Sequence, residues 1–317
     1  MPEKIRVFFA TDVHGSEHVW GKWLGMPRHQ NVDILILSGD LTGKVIAPVV
    51  CRGDTHTCKV FGQTWKASNN SELEELKQKI LFSGYYPFVT TPEEVEELKS
   101  DRKKVDKLFT KIMTDNIARW MRLIEEKVPE NVQAIVMPGN DDEFAIDKPI
   151  NECERVINPL GKALPFVFDY EMISLDYVNP TPWDSPRECS EKELWKKLDK
   201  IAKTVTVDWD KVICNFHGPP FGTKLDIAPE LDENLKVKVD ATGQRMENVG
   251  SKSIFRFIKE YQPFLGLHGH IHESPGFENI GKTLCFNPGS EYGEGILKGA
   301  IFIFTKKGLD TWYPISG

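Results

Sequence analysis

A chain of 317 residues, 40% hydrophobic and 27% charged, can bury a substantial core and has an ordinary globular composition. Its formal net charge of −7 speaks against general nucleic-acid binding, which calls for a basic face. The opening Met-Pro-Glu-Lys-Ile-Arg lacks the long apolar stretch of a secretory signal, and no run is long enough to span a bilayer. The expectation is a cytoplasmic protein without a membrane partner.

Residues 5–10 read as a buried strand, followed by the loop Thr11-Asp12-Val13-His14-Gly15 and a helix from Ser16 to about Leu24. Asp33–Leu37 is a second buried strand, ending at Ser38-Gly39-Asp40. Continuous apolar strands joined by helices indicate an α/β sheet covered on both faces. The pattern then changes. Ile46–Cys51 and Lys59–Trp65 read as a hairpin. Ser71-Glu72-Leu73-Glu74 is a capping-box pattern opening a helix to about Phe82. Thr91 and Pro92 open a longer helix as N-cap and first helical residue. Along it, Val105, Leu108, Ile112, Ile117, Trp120, Met121 and Ile124 form one apolar stripe, and Pro129 closes it. Residues 43–130 are therefore read as an insertion, packed on the core of a single domain spanning 1–317.

The core pattern resumes at Ala134–Met137, which runs into Gly139-Asn140-Asp141-Asp142. Met172–Tyr177 is a strand, Ser190-Glu191-Lys192-Glu193 is another capping box, and Lys211–Phe216 leads into His217. A helix over Ser253–Tyr261 precedes Phe264–Leu267 and then His268-Gly269-His270-Ile271-His272. The remainder is strand-rich. The cysteines form no CxxC pair, which argues against a zinc ribbon. A loop over Gly53–His56 would set Cys51 opposite Cys58, but a reducing cytosol favours two free thiols.

Position carries the functional signal. Asp12 with His14, Asp40, Asn140, His217, and His270 with His272 all fall just past predicted strand ends. In open α/β sheets the ligand crevice lies beyond the carboxyl ends of the strands, where loops from separate strands meet. Imidazole and carboxylate suit zinc, iron or manganese, and the lack of thiolate at these positions argues against a structural zinc cage. The donors exceed what one tetrahedral ion needs and suit two ions sharing a carboxylate. His268 is expected to be a core or supporting histidine, and His29 and His56 to lie at the surface. Trp20, Trp23, Trp65 and Trp120 are expected to pack in the core or insertion.

Asp12-Val13-His14, Gly39-Asp40, Gly139-Asn140, His217 and Gly269-His270-Ile271-His272 resemble the ordered motifs of the calcineurin-like metallophosphoesterases. The motifs span nearly the whole chain in that family's order. Asn287-Pro288-Gly289-Ser290 is similar to a turn near the end of its small bacterial and archaeal members. The resemblance implies two facing mixed β-sheets flanked by helices, a four-layer αββα sandwich. It implies that Asp12, His14 and His272 hold one divalent metal ion, that Asn140, His217 and His270 hold a second, and that Asp40 bridges them. The implied activity is hydrolysis of a phosphoester, with a phosphodiester favoured, by a two-metal-activated hydroxide. The implied partner is a small phosphorylated substrate, nucleotides among the candidates.

One departure stands out. Many members carry histidine directly after the asparagine, and here Asp141 takes that place. Either Asp141 serves as an acid or another group does, with His18 the alternative. Lys224, Arg245, Ser251 and Lys252 are further candidate substrate contacts. The rival reading of His268-x-His270-x-His272 as the HxHxDH run of metallo-β-lactamase-type hydrolases fails, because Glu273 and Ser274 follow instead of Asp-His. A non-catalytic scaffold of the same fold is the other alternative, and the full set of ligand types speaks against it.

Overall fold

The computed structural model describes residues 3–241 and 243–317; Met1 and Pro2 of the opening segment lie outside them. β1 (Lys4–Ala10) leads through a short loop into α1 (Glu17–Gln30), and β2 (Ile34–Ser38) follows. Ser16 caps α1, its hydroxyl accepting from the Val19 amide. The helix continues past the expected end at Leu24 and through Pro27. Burial of Met26 and Pro27 in the core holds this last stretch despite the amide that proline lacks. Asn31, left-handed at φ 51°, ends it.

The next segment forms its own sheet. β3 (Ile46–Arg52), β4 (Thr55–Val60) and β5 (Gln63–Ala67) make an antiparallel meander, α2 (Asn70–Phe82) packs on it, and β6 (Tyr86–Thr90) joins parallel to β3. This corrects the expected hairpin. Gly53 and Asp54 alone form the first turn, so Cys51 pairs with His56, and Cys58 pairs with Trp65 on the far strand. The two cysteines are free, because a two-residue turn moves Cys58 out of register with Cys51. The cap of α2 is also corrected. Asn69, not Ser71, accepts from the Glu72 amide, and Glu72 reaches back to Ser68 and Asn69. The expected long helix is broken into α3 (Pro92–Ser100) and α4 (Arg102–Lys127). Asp101 sits extended between them and accepts from the Lys103 and Lys104 amides, starting α4 anew.

The rest completes two large sheets. In chain order come β7 (Gln133–Met137), α5 (Asp147–Glu152), β8 (Val156–Ile157), β9 (Leu164–Pro165), β10 (Glu171–Leu175), α6 (Glu191–Ala202) and β11 (Val212–Phe216). An arm of short strands follows: β12 (Ile227–Pro229), β13 (Val239–Asp240), β14 (Gly243–Gln244) and β15 (Met246–Asn248). Then come α7 (Lys252–Tyr261), β16 (Leu265–Leu267), β17 (Gly276–Ile280), β18 (Thr283–Asn287), β19 (Lys298–Thr305) and β20 (Gly308–Ser316). The capping box at Ser190 is complete on α6, with Glu193 reaching back.

One six-stranded sheet runs β20-β19-β1-β2-β7-β8, and the other runs β17-β18-β16-β11-β10-β9. Each has a parallel centre and at least one antiparallel edge. Their inner faces meet through Val7, Phe9, Ile36 and Ile135 on one side and Met172, Ile213, Leu267 and Phe286 on the other. Helices α1, α4 and α5 cover the outer face of the first sheet, and α6 and α7 that of the second. This is the expected four-layer arrangement of two facing mixed sheets flanked by helices. Each fully buried Val, Leu, Ile or Phe contributes about 1.5–3 kcal/mol. That apolar seam fixes where the loops at the strand ends emerge. The four-stranded sheet has its own small core of Ala47, Val49, Cys58, Leu73 and Ile80. α4 instead joins the main core, where Trp120 stacks on Trp20 at 4.3 Å and Trp20 on Trp23 at 5.0 Å. Among the described residues no helix is long and apolar enough to cross a membrane.

Candidate metal centre

The loops that leave the parallel strands converge. Asp12 and His14 follow β1, Asp40 follows β2, Asn140 follows β7, His217 follows β11, and His270 and His272 follow β16. Asp12, His14, Asp40, Asn140 and His217 are almost fully buried, a costly place for charged groups unless they are paired. Backbone strain marks the same spot. Asp12 (φ 54°), His14 (φ 40°), Asp40 (φ 48°) and His270 (φ 69°) are all left-handed without being glycine. Such residues cost on the order of 1–3 kcal/mol each, persist only where the surrounding structure over-determines them, and cluster at functional sites.

The glycines beside the ligands have a steric reason. A Cβ on Gly139 would lie 2.3 Å from the Asp40 amide nitrogen, and one on Gly39 2.1 Å from His217 Nδ1. Only glycine lets these loops close on each other. The loops are then pinned. Asp142 is fully buried and accepts from the Leu41, Thr42 and Gly139 amides and the Thr42 hydroxyl, tying the loop after β2 to the loop after β7. Thr11 donates to Ser38 O and lies 2.8 Å from Asp12 Oδ2. Ser290, from the turn after β18, donates to the Asp12 carbonyl at 2.7 Å.

Two sets of donors built from the motif residues result, and a third group, His14, Asp40 and Asp141, overlaps them. The ligand atoms of Asp12, His14 and His272 lie within 4.8 Å of one another, as do those of Asp40, His217 and His270. Asp40 faces both sets: Oδ2 is 3.6 Å from His14 Nε2, and Oδ1 is 3.3 Å from His217 Nε2. Asn140 presents Oδ1 to His217 Nε2 at 3.1 Å, while its amide nitrogen donates to Ser185 Oγ. His217 Nδ1 lies 3.0 Å from Ser38 O and its Nε2 faces Asn140 Oδ1 and Asp40 Oδ1, so in the metal-free protein the protonated ring donates from both nitrogens. His14 Nε2 and His272 Nε2 are 3.1 Å apart, and buried His14 Nδ1 has no hydrogen-bond partner among the described residues. Imidazole nitrogens and carboxylate oxygens gathered this closely offer lone pairs that a cation can take in place of protons. The buried imidazole, carboxylate and amide oxygen donors thus fit divalent metal ions.

The electrostatics agree. Burial favours a neutral Asp12, yet His272, His217 and His14 hold its carboxyl well below the usual range. Burial and neighbouring Asp141 push Asp40 upward. Burial opposes charge on His217, but Asp40 and Asp12 carry it upward, to about 10. Burial and His217 push His270 down to about 3, leaving an imidazole with a free lone pair. Burial and His272 lower His14 likewise.

The other expected contacts divide. Asp141 lines the same cavity as Asp40, Asn140, His270 and His272; its amide donates to Asp40 Oδ1 at 3.0 Å. His18 does not join them. It is exposed on α1, with its ring 4.7 Å from that of Phe82, and it does not line the cavity. Lys252 lines the cavity, but Lys224, Ser251 and Arg245 do not; Ser251 caps α7 and Arg245 pairs with Glu230. His268 is buried, with Nδ1 3.0 Å from the carbonyls of Phe216 and Gly218, a supporting position.

Sequence reasoning did not single out Lys44, Tyr292 or Arg187. Lys44 forms an ion pair with Asp141 and lines the cavity. Tyr292 lies 4.6 Å from the His14 ring and 5.9 Å from that of His272. Arg187 is buried and bonds Asp176, Asp147 and the carbonyls of Asp142 and Glu143, bracing the loop that carries Asn140. No spacing in the sequence links these residues to the motifs. The nearest signal was the place of Lys44 four positions after Asp40.

No protein-family model matches the chain. An uncharacterized protein of Methanocaldococcus jannaschii, MJ1162, is 26% identical over 177 residues, which span 55% of this chain and 72% of that protein. The crystal structure of TT1561 of Thermus thermophilus aligns over 99% of this chain and 98% of its own, with a TM-score of 0.53 at 12% identity. Another crystal structure aligns over 99% of both chains, with a TM-score of 0.59 at 16% identity. At these identities the likeness is one of fold.

Proposed function

We propose that this protein is a metal-dependent phosphoesterase that favours phosphodiesters. One observation carries the reading: two largely buried sets of histidine and carboxylate donors, each with one histidine open to the cavity, meet at Asp40. Asp12, His14 and His272 would hold one divalent ion, Asn140, His217 and His270 the other, and Asp40 both. When bound, such ions supply Lewis-acid stabilisation of phosphoryl oxygens and a water of lowered pKa.

The chain's own groups do the rest. Lys44 places a cation beside the cluster, where a phosphoryl oxygen needs a charge-assisted donor. Burial alone would discharge Lys44, but Asp141 and Asp40 keep its pKa above the ordinary lysine value, so it stays protonated. Asp141 therefore acts as the positioning residue for Lys44, and its own charge is offset. The single charge of a diester asks less of this one cation than the double charge of a monoester. Tyr292 keeps the imidazoles of His14 and His272 in place by ring contact. In the reaction, water's oxygen bonds to phosphorus, the bond to the departing alkoxide breaks, and that alkoxide takes up a proton.

The test is turnover of bis(p-nitrophenyl) phosphate after loading with manganese, iron or zinc, with metal content measured in parallel. Metal-dependent release of p-nitrophenol, lost in Asp40→Asn, is the expected result. A protein that holds metal but turns over neither diesters nor monoesters would overturn the reading.

A further inference from the structure

The cavity beside the cluster is far larger than a phosphate requires, at about 780 Å³, within the range of sites for drug-sized organic ligands. Much of its wall comes from segments that carry no metal-ligand residue. One is the stretch after β10, including Trp183; another is the stretch from Phe221 through the β12–β15 arm, including Leu231 and Val237. The two pieces are tied together, because the Asn179 side chain donates to the Val249 carbonyl at 3.0 Å. Leu231 and Val237 pair across the base of a small loop, so both belong to one ordered structure.

Trp183, Phe221, Leu231 and Val237 share this wall with the carboxylates of Glu191, Asp232 and Glu247. Trp183 is 64% exposed and Val237 40% exposed. An exposed indole grouped with other apolar side chains on a concave wall is the kind of surface that marks a ligand-binding groove. The cavity also contains Asp40, Asn140, His270, His272 and Lys44, so whatever covers the wall shares a space with the cluster.

We propose that the substrate is a phosphodiester bearing a planar apolar substituent, of aryl or nucleobase size, which lies against Trp183 while the phosphoryl group meets Lys44. This rests on the phosphoesterase reading and adds the substrate class. Trp183 is then a specificity-determining residue outside the chemical machinery. Its contribution follows from stacking, which on a single aromatic face is worth on the order of tenfold or more in binding.

The experiment uses diesters that share one leaving group, so that chemistry is held constant. Methyl, phenyl and thymidine p-nitrophenyl phosphate are compared by kcat/KM on the metal-loaded protein. The phenyl and thymidine esters are expected to exceed the methyl ester by about tenfold or more. Trp183→Ala should reduce that ratio to within about threefold of unity and leave the methyl ester unchanged, while Trp183→Phe should retain most of it. A native ratio near one, or a ratio untouched by Trp183→Ala, overturns the proposal. If none of the esters is hydrolysed, the phosphoesterase reading fails instead. The wall is then tested by calorimetry with phenylphosphonate and methylphosphonate: preference for phenylphosphonate that depends on Trp183 supports it, and equal binding overturns it.

Discussion

Lys44 and Asp141 form an ion pair on the wall of the cavity that holds the histidine–carboxylate cluster. The pair answers a difficulty raised by the sequence. A bare carboxylate after Asn140 would repel a phosphate, but a carboxylate that anchors a lysine presents a cation instead. The loop bearing Lys44 is fixed from both sides. The Asp142 carboxylate accepts from the Leu41 and Thr42 amides, and the Gly43 amide donates to the Tyr86 hydroxyl at 2.8 Å.

Lys44→Ala should therefore lower kcat/KM by roughly 10–100-fold, the worth of one charge-assisted hydrogen bond of about 1.5–3 kcal/mol. Bound metal should stay unchanged, because Lys44 is no ligand. Lys44→Arg should recover part of the loss. Loss of metal in Lys44→Ala would reassign the lysine to the metal site, and full activity would remove it from the mechanism.

Asp141→Asn should mimic a milder Lys44→Ala, raising KM more than it lowers kcat, since it frees the lysine without removing it. Asp141→His should alter the dependence of rate on the leaving group. Rates unchanged from the native protein across good and poor leaving groups in both variants would count against any role for Asp141.

Metal uptake should release protons. In the metal-free protein Asp40 and His217 both hold their protons more tightly than usual, His217 up to about 10. A cation that binds their lone pairs must displace those protons, so affinity should climb as pH rises from neutrality toward 10. Calorimetry in buffers of differing ionisation heat measures the release. Proton-neutral binding across that range would contradict this electrostatic picture.

Asp40→Asn gives a stability readout with the opposite sign to its effect on activity. A carboxyl whose folded pKa lies above the unfolded value stabilises fully below the unfolded pKa. That stability is lost as pH rises through the folded value. Asp40 should thus contribute a loss of stability in the metal-free protein as pH rises from the ordinary carboxylate value of 3.8 to about 7, and Asp40→Asn should lack that share. Thermal melts in chelator at a series of pH values decide it; parallel curves for the two proteins would refute the claim.

Arg187→Met should destabilise the fold by about 3–5 kcal/mol, because it strands buried Asp176 with no cation. Denaturant titration measures this. A loss below about 1 kcal/mol would mean that Asp176 finds solvent or another partner.

The sequence alone carried the candidate metal-ligating residues and a covered α/β sheet, while the four-layer order came from the family resemblance. The residues and the sheet follow from local rules: apolar runs build covered strands, and loops past their carboxyl ends meet. The resemblance to calcineurin-like metallophosphoesterases ordered those residues into sets, and the structure brings the same residues together. The helix starts at Ser16, Thr91 and Ser190 were equally legible, since a cap depends on residues within one turn. Tertiary structure decided what depends on register and distance. The two-residue turn at Gly53 and Asp54 parted Cys51 from Cys58, and Asp101 split a helix whose apolar stripe reads as continuous. It left His18 outside the cavity and brought in Lys44, Tyr292 and Arg187. Their roles come from contacts between segments far apart in the chain, such as Lys44 with Asp141 and Tyr292 with His14. No periodicity or spacing encodes such contacts. The packing of two sheets against each other, and of an inserted sheet against their loops, is what sets them.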